Sequence, residues 1–167
     1  PASLYLAITQ KMIKATARRD EAPGALLTRM NRELCDGNDT MTFVTLFACF
    51  YDTRTGEVTF SNGGHNPPYL VTRGGASQLD IDPAIALGVR EEAHYGDHPL
   101  RLQEGETLFL YTDGVTEAMD PRGNQYTEDR LGRTLTRLKA CDPEAMCRGI
   151  LDDLRLFVGA AEQSDDI

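Results

Sequence analysis

The chain has little of what would tie it to a membrane, a nucleic acid or a disulfide scaffold. None of its 167 residues belongs to an apolar run approaching the roughly 20 residues of a membrane span, and its N-terminus lacks the order of a signal peptide. Basic residues are few. There are 17 Lys and Arg against 26 Asp and Glu, a net charge of −9, which argues against a nucleic-acid partner held through its phosphates. The four cysteines, Cys35, Cys49, Cys141 and Cys147, form no Cys-x-x-Cys pair and read as reduced thiols in the core or near the surface. A cytoplasmic location is the expectation. Also missing are a Ser-His-Asp nucleophile elbow, a phosphate-cradling glycine loop, a zinc signature, an internal repeat, a low-complexity tract and a linker. What remains is one domain over residues 1–167, long enough to bury a core. At 41% hydrophobic and 26% charged, it is neither disordered nor membrane-embedded in composition.

Hydrophobic spacing sets out the elements. Leu4, Ile8, Met12 and Ala15 recur at helical intervals between Ala2 and Arg19, with basic residues toward the C-terminal end. Pro23 suits the first turn of a further helix with Leu26, Leu27, Met30 and Leu34 as its stripe, and Gly37 suits its end. The period then changes to two. Met41 to Tyr51 and Val58 to Ser61 read as a hairpin across a polar turn. Tyr69 to Thr72 reads as a strand stopped by Arg73-Gly74-Gly75, and further strands are expected at Ser77 to Asp80, His94 to Leu102 and Glu106 to Thr112. Helices return over Thr127 to Leu138 and from Pro143, where Asp142 is the expected N-cap and Met146, Ile150, Leu154 and Phe157 share a face. Central strands joined mostly by hairpins, with helices on either side, predict an α+β protein with a largely antiparallel sheet.

Two segments carry candidate chemistry. Leu108 to Tyr111 is an apolar run that delivers Asp113 at a strand end, with Gly114 letting the chain turn away, and Asp165-Asp166 supplies a second carboxylate pair near the chain's end. Oxygen-only ligands at strand ends suit magnesium or manganese better than zinc. Asp-Gly is equally a common turn dipeptide, and an acidic pair is common on surfaces. The second segment, Ser61 to Tyr69, contains Gly63, Gly64, His65, Asn66 and two prolines. It reads either as a rigid bend in which His65 ties loop backbone groups or as a loop that brings Gly64, His65 and Asn66 to the chemistry. His94 and His98 read as strand surface, Glu91-Glu92 as a loop charge pair, and Asp152-Asp153 as a solvated helix face.

Together, Met41 to Phe47, Ser61 to Pro68, Leu110 to Ala118 and Asp165-Asp166-Ile167 resemble the SpoIIE-type branch of the metal-dependent serine/threonine phosphatases of type 2C, in order and spacing, over essentially the whole chain. Ala86-Leu87-Gly88-Val89 and the Pro23–Leu34 segment with Asn31 add to the likeness. The resemblance implies an α-β-β-α sandwich: two largely antiparallel sheets flanked by helices, with two Mn2+ or Mg2+ ions at one end. Direct attack of a metal-activated water on phosphoserine or phosphothreonine follows from it, with Asp113 and Asp165 as the catalytic metal ligands. Gly114 is implied beside Asp113, and Asp166, where many relatives carry asparagine, as a ligand or an orienting group. Against the family pattern, the chain opens just after a Gly-Asp element with further ligands and ends where the last strand begins, which implies a domain lacking its first strands and its last strand. The implied partners are a phosphorylated anti-sigma-factor antagonist in a partner-switching pathway and an attached sensor or receiver domain. A phosphatase-like module that binds a partner without chemistry is the competing class.

Overall fold

A computed structural model describes residues 21–39 and 41–160. The helix expected over Ala2–Arg19 and the Asp165-Asp166 pair lie outside the described residues. The chain divides into two compact units, Pro1–His65 with Asp82–Arg101 and Asn66–Ile81 with Leu102–Ile167.

In the first unit, helix α1 (Pro23–Cys35) packs on a three-stranded antiparallel sheet in the order β1 (Leu46–Tyr51), β2 (Glu57–Gly63), β5 (His98–Arg101). The expected stripe is the buried one, since Leu26, Leu27, Met30 and Leu34 join Leu87, Ala93 and Tyr95 in one apolar cluster. Burying a side chain such as Leu27 or Met30 completely contributes roughly 2–3 kcal/mol. Pro23 sits in the first turn, as expected, and Gly37 beyond the helix has φ +66. No side chain caps the helix at Ala22. Instead, Asp97 from the approach to β5 accepts the Gly24 amide at 2.7 Å, doing from a distance what an N-cap does locally. Between β1 and β2, Asp52 closes the turn by accepting the Gly56 amide at 2.9 Å, with Gly56 at φ +76.

The second unit holds a separate antiparallel sheet in the order β4 (Gly75–Gln78), β3 (Tyr69–Thr72), β6 (Thr107–Phe109). Its helices are the one-turn α2 (Asp113–Thr116), α3 (Glu128–Arg137) and α4 (Pro143–Val158). Tyr69, Val71, Tyr111, Tyr126, Leu131, Leu135, Met146, Ile150 and Leu154 are buried in one cluster. Asp142 accepts the Ala145 amide at 2.8 Å and is the N-cap of α4, as expected.

Three strands are shorter than their hydrophobic runs. The strand expected from Glu106 to Thr112 stops at Phe109, opposite Tyr69, the first residue of β3. The strand expected from His94 begins only at His98. Ala93 and Tyr95 turn into the apolar stripe of α1 instead, and His94 is exposed outside any strand. The run from Met41 joins the sheet at Leu46, opposite Gly63 at the end of β2, while Val44 makes a separate bridge to Leu87. β4 is displaced toward the turn, Gly75–Gln78 in place of Ser77 to Asp80.

The four cysteines are free thiols, three exposed and Cys35 half-buried. Asp152 is exposed as expected, but Asp153 is not a solvated residue. It accepts hydrogen bonds from Tyr126 at 2.8 Å, Arg137 at 2.8 Å and Arg130 at 3.1 Å, tying α4 to α3. The Arg130 guanidinium also lies over the Tyr126 and Phe157 rings.

Candidate functional site

Asp113 stands at the head of α2, after the extended Thr112. Its surroundings separate a fixed backbone from an open side chain. The Asp113 carbonyl accepts the Glu117 amide at 2.8 Å and the Thr116 hydroxyl at 3.3 Å. Beneath it Tyr111, Val115 and Ala118 are packed in the core, and Thr116 and Ala118 take backbone bonds from Thr127 and Tyr126 at 2.9 Å. The Asp113 residue itself is exposed. One carboxylate oxygen accepts the Gly114 amide at 3.0 Å, which limits the rotation of the side chain and leaves the other oxygen as a hard donor for a cation. Gly114 is buried inside the helical turn rather than making a loop away from the strand.

Gly64 and His65 belong to the first unit, and Asn66 to the second. The bend is tied through the backbone of His65. The buried Asn62 side chain accepts the His65 amide at 3.0 Å and donates to the His65 carbonyl at 2.9 Å. Gly64 has φ +75, and a Cβ there would stand 2.8 Å from Ala86 N and 2.9 Å from Ala86 Cα. The two backbones therefore meet with no side chain between them.

That Ala86 segment is held from below by Asn31, which is fully buried. Its amide nitrogen donates to the carbonyls of Arg90 at 2.8 Å and Glu91 at 3.1 Å, and its oxygen accepts the Gly88 amide at 2.9 Å. The buried Tyr95 hydroxyl lies 3.4 Å from both Asn31 Oδ1 and the Ala86 carbonyl. Burial pushes the Tyr95 phenol up to about 12, so it remains a donor at neutral pH. Asn31 occupies a core slot of the helical stripe, four residues after Leu27, and a polar residue in such a slot is the signal that could have marked this fastening. Asp97 and Asp153 carried no comparable signal.

Among the described residues, no three His, Cys, Asp or Glu side chains converge as a metal-binding group. Asp113 is the implied ligand that can be placed, and its exposed hard-oxygen carboxylate fits a divalent cation. No helix among the described residues is long and apolar enough to cross a membrane.

Two antiparallel three-stranded sheets carrying helices match solved type 2C phosphatase domains in fold. The SiaA-PP2C domain of Pseudomonas aeruginosa superposes with a TM-score of 0.77 at 21% identity, over 96% of this chain and 63% of that one. The RsbU and RsbW domains of a Mycobacterium tuberculosis protein match with a TM-score of 0.68 at 21% identity, over 90% of this chain and 41% of that one. The family profile of Stage II sporulation protein E (SpoIIE) matches residues 1–167, and the chain belongs to that family. Phosphoserine phosphatase RsbU of Bacillus subtilis (strain 168) is 23% identical over 155 residues, covering 92% of this chain and 46% of the relative. The chain thus spans about half the length of that relative.

Proposed function

We propose that this chain carries the catalytic region of a metal-dependent protein serine/threonine phosphatase. The observation that supports it most directly is Asp113: an exposed carboxylate on a backbone locked into a buried base, in a chain matched along its whole length by the SpoIIE family. A carboxylate that is to bind a hard cation must be open to it while its backbone stays still.

In this reading Asp113 and Asp165 hold two Mn2+ or Mg2+ ions, with Asp166 as a further ligand or orienting group and Gly114 supporting Asp113 through its amide. Ions bound there supply a nucleophilic water and charge stabilisation for the phosphoryl oxygens. The chain's own part is to orient Asp113, through Gly114 and the locked α2 turn. The substrate is a phosphoserine or phosphothreonine protein. The family resemblance points to an anti-sigma-factor antagonist acted on in the cytoplasm, under an attached sensor or receiver domain, and the likeness to Phosphoserine phosphatase RsbU supports phosphoserine as the group hydrolysed.

The test is hydrolysis of a phosphoserine protein by the full-length protein with added manganese, with magnesium, and after chelation. Metal-dependent release of phosphate is expected. Absence of turnover with either metal, together with binding of an unmodified partner, would assign the chain to the non-catalytic class.

A further inference from the structure

A cavity in the first unit plays no part in the phosphatase reading. It has a volume of about 470 Å3, a size suited to a small ligand, and every residue lining it belongs to that unit. Its buried lining is apolar. Ala93 and Tyr95 are buried there, with Ile85 half-buried beside them. Polar groups on this side are already engaged: the Tyr95 hydroxyl lies 3.4 Å from both Asn31 Oδ1 and the Ala86 carbonyl, and the Asn62 amide bonds the backbone of His65. The lining is fixed as well as shaped. Asn31 donates to the Arg90 carbonyl at 2.8 Å, and the Thr28 hydroxyl accepts the Tyr95 amide at 3.3 Å. The exposed lining has the opposite character. Arg90 and His94 are exposed, and among the described residues neither side chain has a hydrogen-bond or ion-pair partner. His98 is held by stacking on Phe60, with ring centroids 5.2 Å apart. Asp82 is the one carboxylate among the described residues that line the cavity. In a chain of net charge −9, a guanidinium and two imidazoles gathered on one apolar hollow depart from the prevailing acidic surface.

We propose that this cavity binds a small organic anion, a compact apolar body carrying one phosphoryl or carboxylate group. The body lies against Ile85, Ala93 and Tyr95, and the anionic group meets Arg90, with His94 and His98 as further N–H donors. A guanidinium offers a fork of donors that matches two oxygens of either group, and an apolar body gains affinity from the area it removes from water. A hollow whose backbone is already held loses little freedom when it is filled. Asp82 opposes the anion, which favours a single anionic group over a polyphosphate. Binding of this kind needs neither a metal ion nor Asp113, and it is independent of the phosphatase reading.

The experiment uses the full-length protein in excess chelator, titrated with phenylphosphonate and with benzoate, which a phosphatase cannot hydrolyse, and with methylphosphonate, which lacks the apolar body. Binding is followed through the imidazole proton signals of His94 and His98, with His65, outside the cavity lining, as the reference. At least one of the two aromatic probes is expected to shift the His94 and His98 signals to saturation with a Kd of about 1 mM or tighter. The tighter of the two identifies the natural ligand as a phosphoryl or a carboxylate compound. Methylphosphonate should bind about tenfold more weakly than phenylphosphonate. Arg90→Gln, whose backbone carbonyl still meets Asn31, should weaken binding about tenfold, and Asp82→Asn should tighten it about threefold. Both positions are exposed, so the variants are expected to fold, and a thermal melt checks that they do. Asp113→Asn should bind as the wild type does. Absence of saturable shifts at His94 and His98 with both aromatic probes would overturn the proposal. So would shifts spread equally over all three histidines, or an affinity indifferent to Arg90→Gln in the folded variant. Because the titrations are made without metal, a wild type that shows no turnover would bring down the phosphatase reading and leave this one standing.

Discussion

The Tyr126 phenol donates a 2.8 Å hydrogen bond to the Asp153 carboxylate, linking two residues 27 positions apart. Arg130 and Arg137 converge on the same carboxylate from α3. One half-buried acid on α4 thus gathers a phenol and two guanidinium groups, an arrangement worth more than a surface ion pair because several donors share one acceptor.

Asp153→Ala is expected to destabilise the protein by about 2 kcal/mol, a value moderated by the exposure of Arg137. Burial pushes the Asp153 carboxyl up, but hydrogen bonds from Tyr126, Arg137 and Arg130 outweigh it and hold the group below its ordinary 3.8. A carboxyl depressed on folding contributes stability that is fully present above its unfolded pKa and lost as pH falls through the folded one. Denaturant titrations should therefore show the gap between wild type and Asp153→Ala intact at neutral pH and closing below pH 3.8. A gap that widened on acidification would contradict the assignment.

Asp113→Asn in the full-length protein should keep the melting temperature within a few degrees and lower metal-dependent turnover by about 100-fold or more, since losing a ligand costs at least as much as losing its supporting partner. Manganese binding by calorimetry should weaken in parallel. Wild-type turnover in this variant would remove Asp113 from the site.

Helix α1 owes its N-terminal cap to a residue 73 positions away. Asp97→Ala should cost about 1 kcal/mol, and Asp97→Asn, which keeps an acceptor oxygen, roughly 0.5 kcal/mol or less. Equal losses in the two variants, measured by chemical denaturation, would mean that the charge and not the capping oxygen matters.

Two glycines of positive φ separate conformational strain from crowding. At Gly37, φ +66 with open space around it, alanine should cost about 1 kcal/mol. At Gly64, φ +75 against the Ala86 backbone, the cost should be about 3 kcal/mol or more. Comparable melting temperatures for Gly37→Ala and Gly64→Ala would show that the Ala86 contact yields easily.

The sequence by itself determined those features that neighbours along the chain can decide. The stripe of α1, Asp142 at the head of α4, the Asp52–Gly56 turn and strand β3 depend on periods of 3.6 or 2, on capping chemistry and on glycine's conformational freedom, all local quantities. Asp113 was legible for the same reason, as an Asp-Gly pair closing an apolar run. Tertiary structure alone decided where strands stop and which polar groups are buried. β6 ends at Phe109 because its partner β3 begins at the opposite residue, Tyr69. Asp153 and its equally acidic neighbour Asp152 are alike in sequence, and only the rotation of α4 against α3 turns one toward two arginines of α3 and leaves the other exposed beside Arg155 of its own helix. Asn31 shows the boundary most plainly: helical spacing marks its core position, but the backbone groups it bonds lie 57 to 60 residues away. A buried amide must find partners wherever folding brings them, and no local pattern encodes which backbone groups those will be.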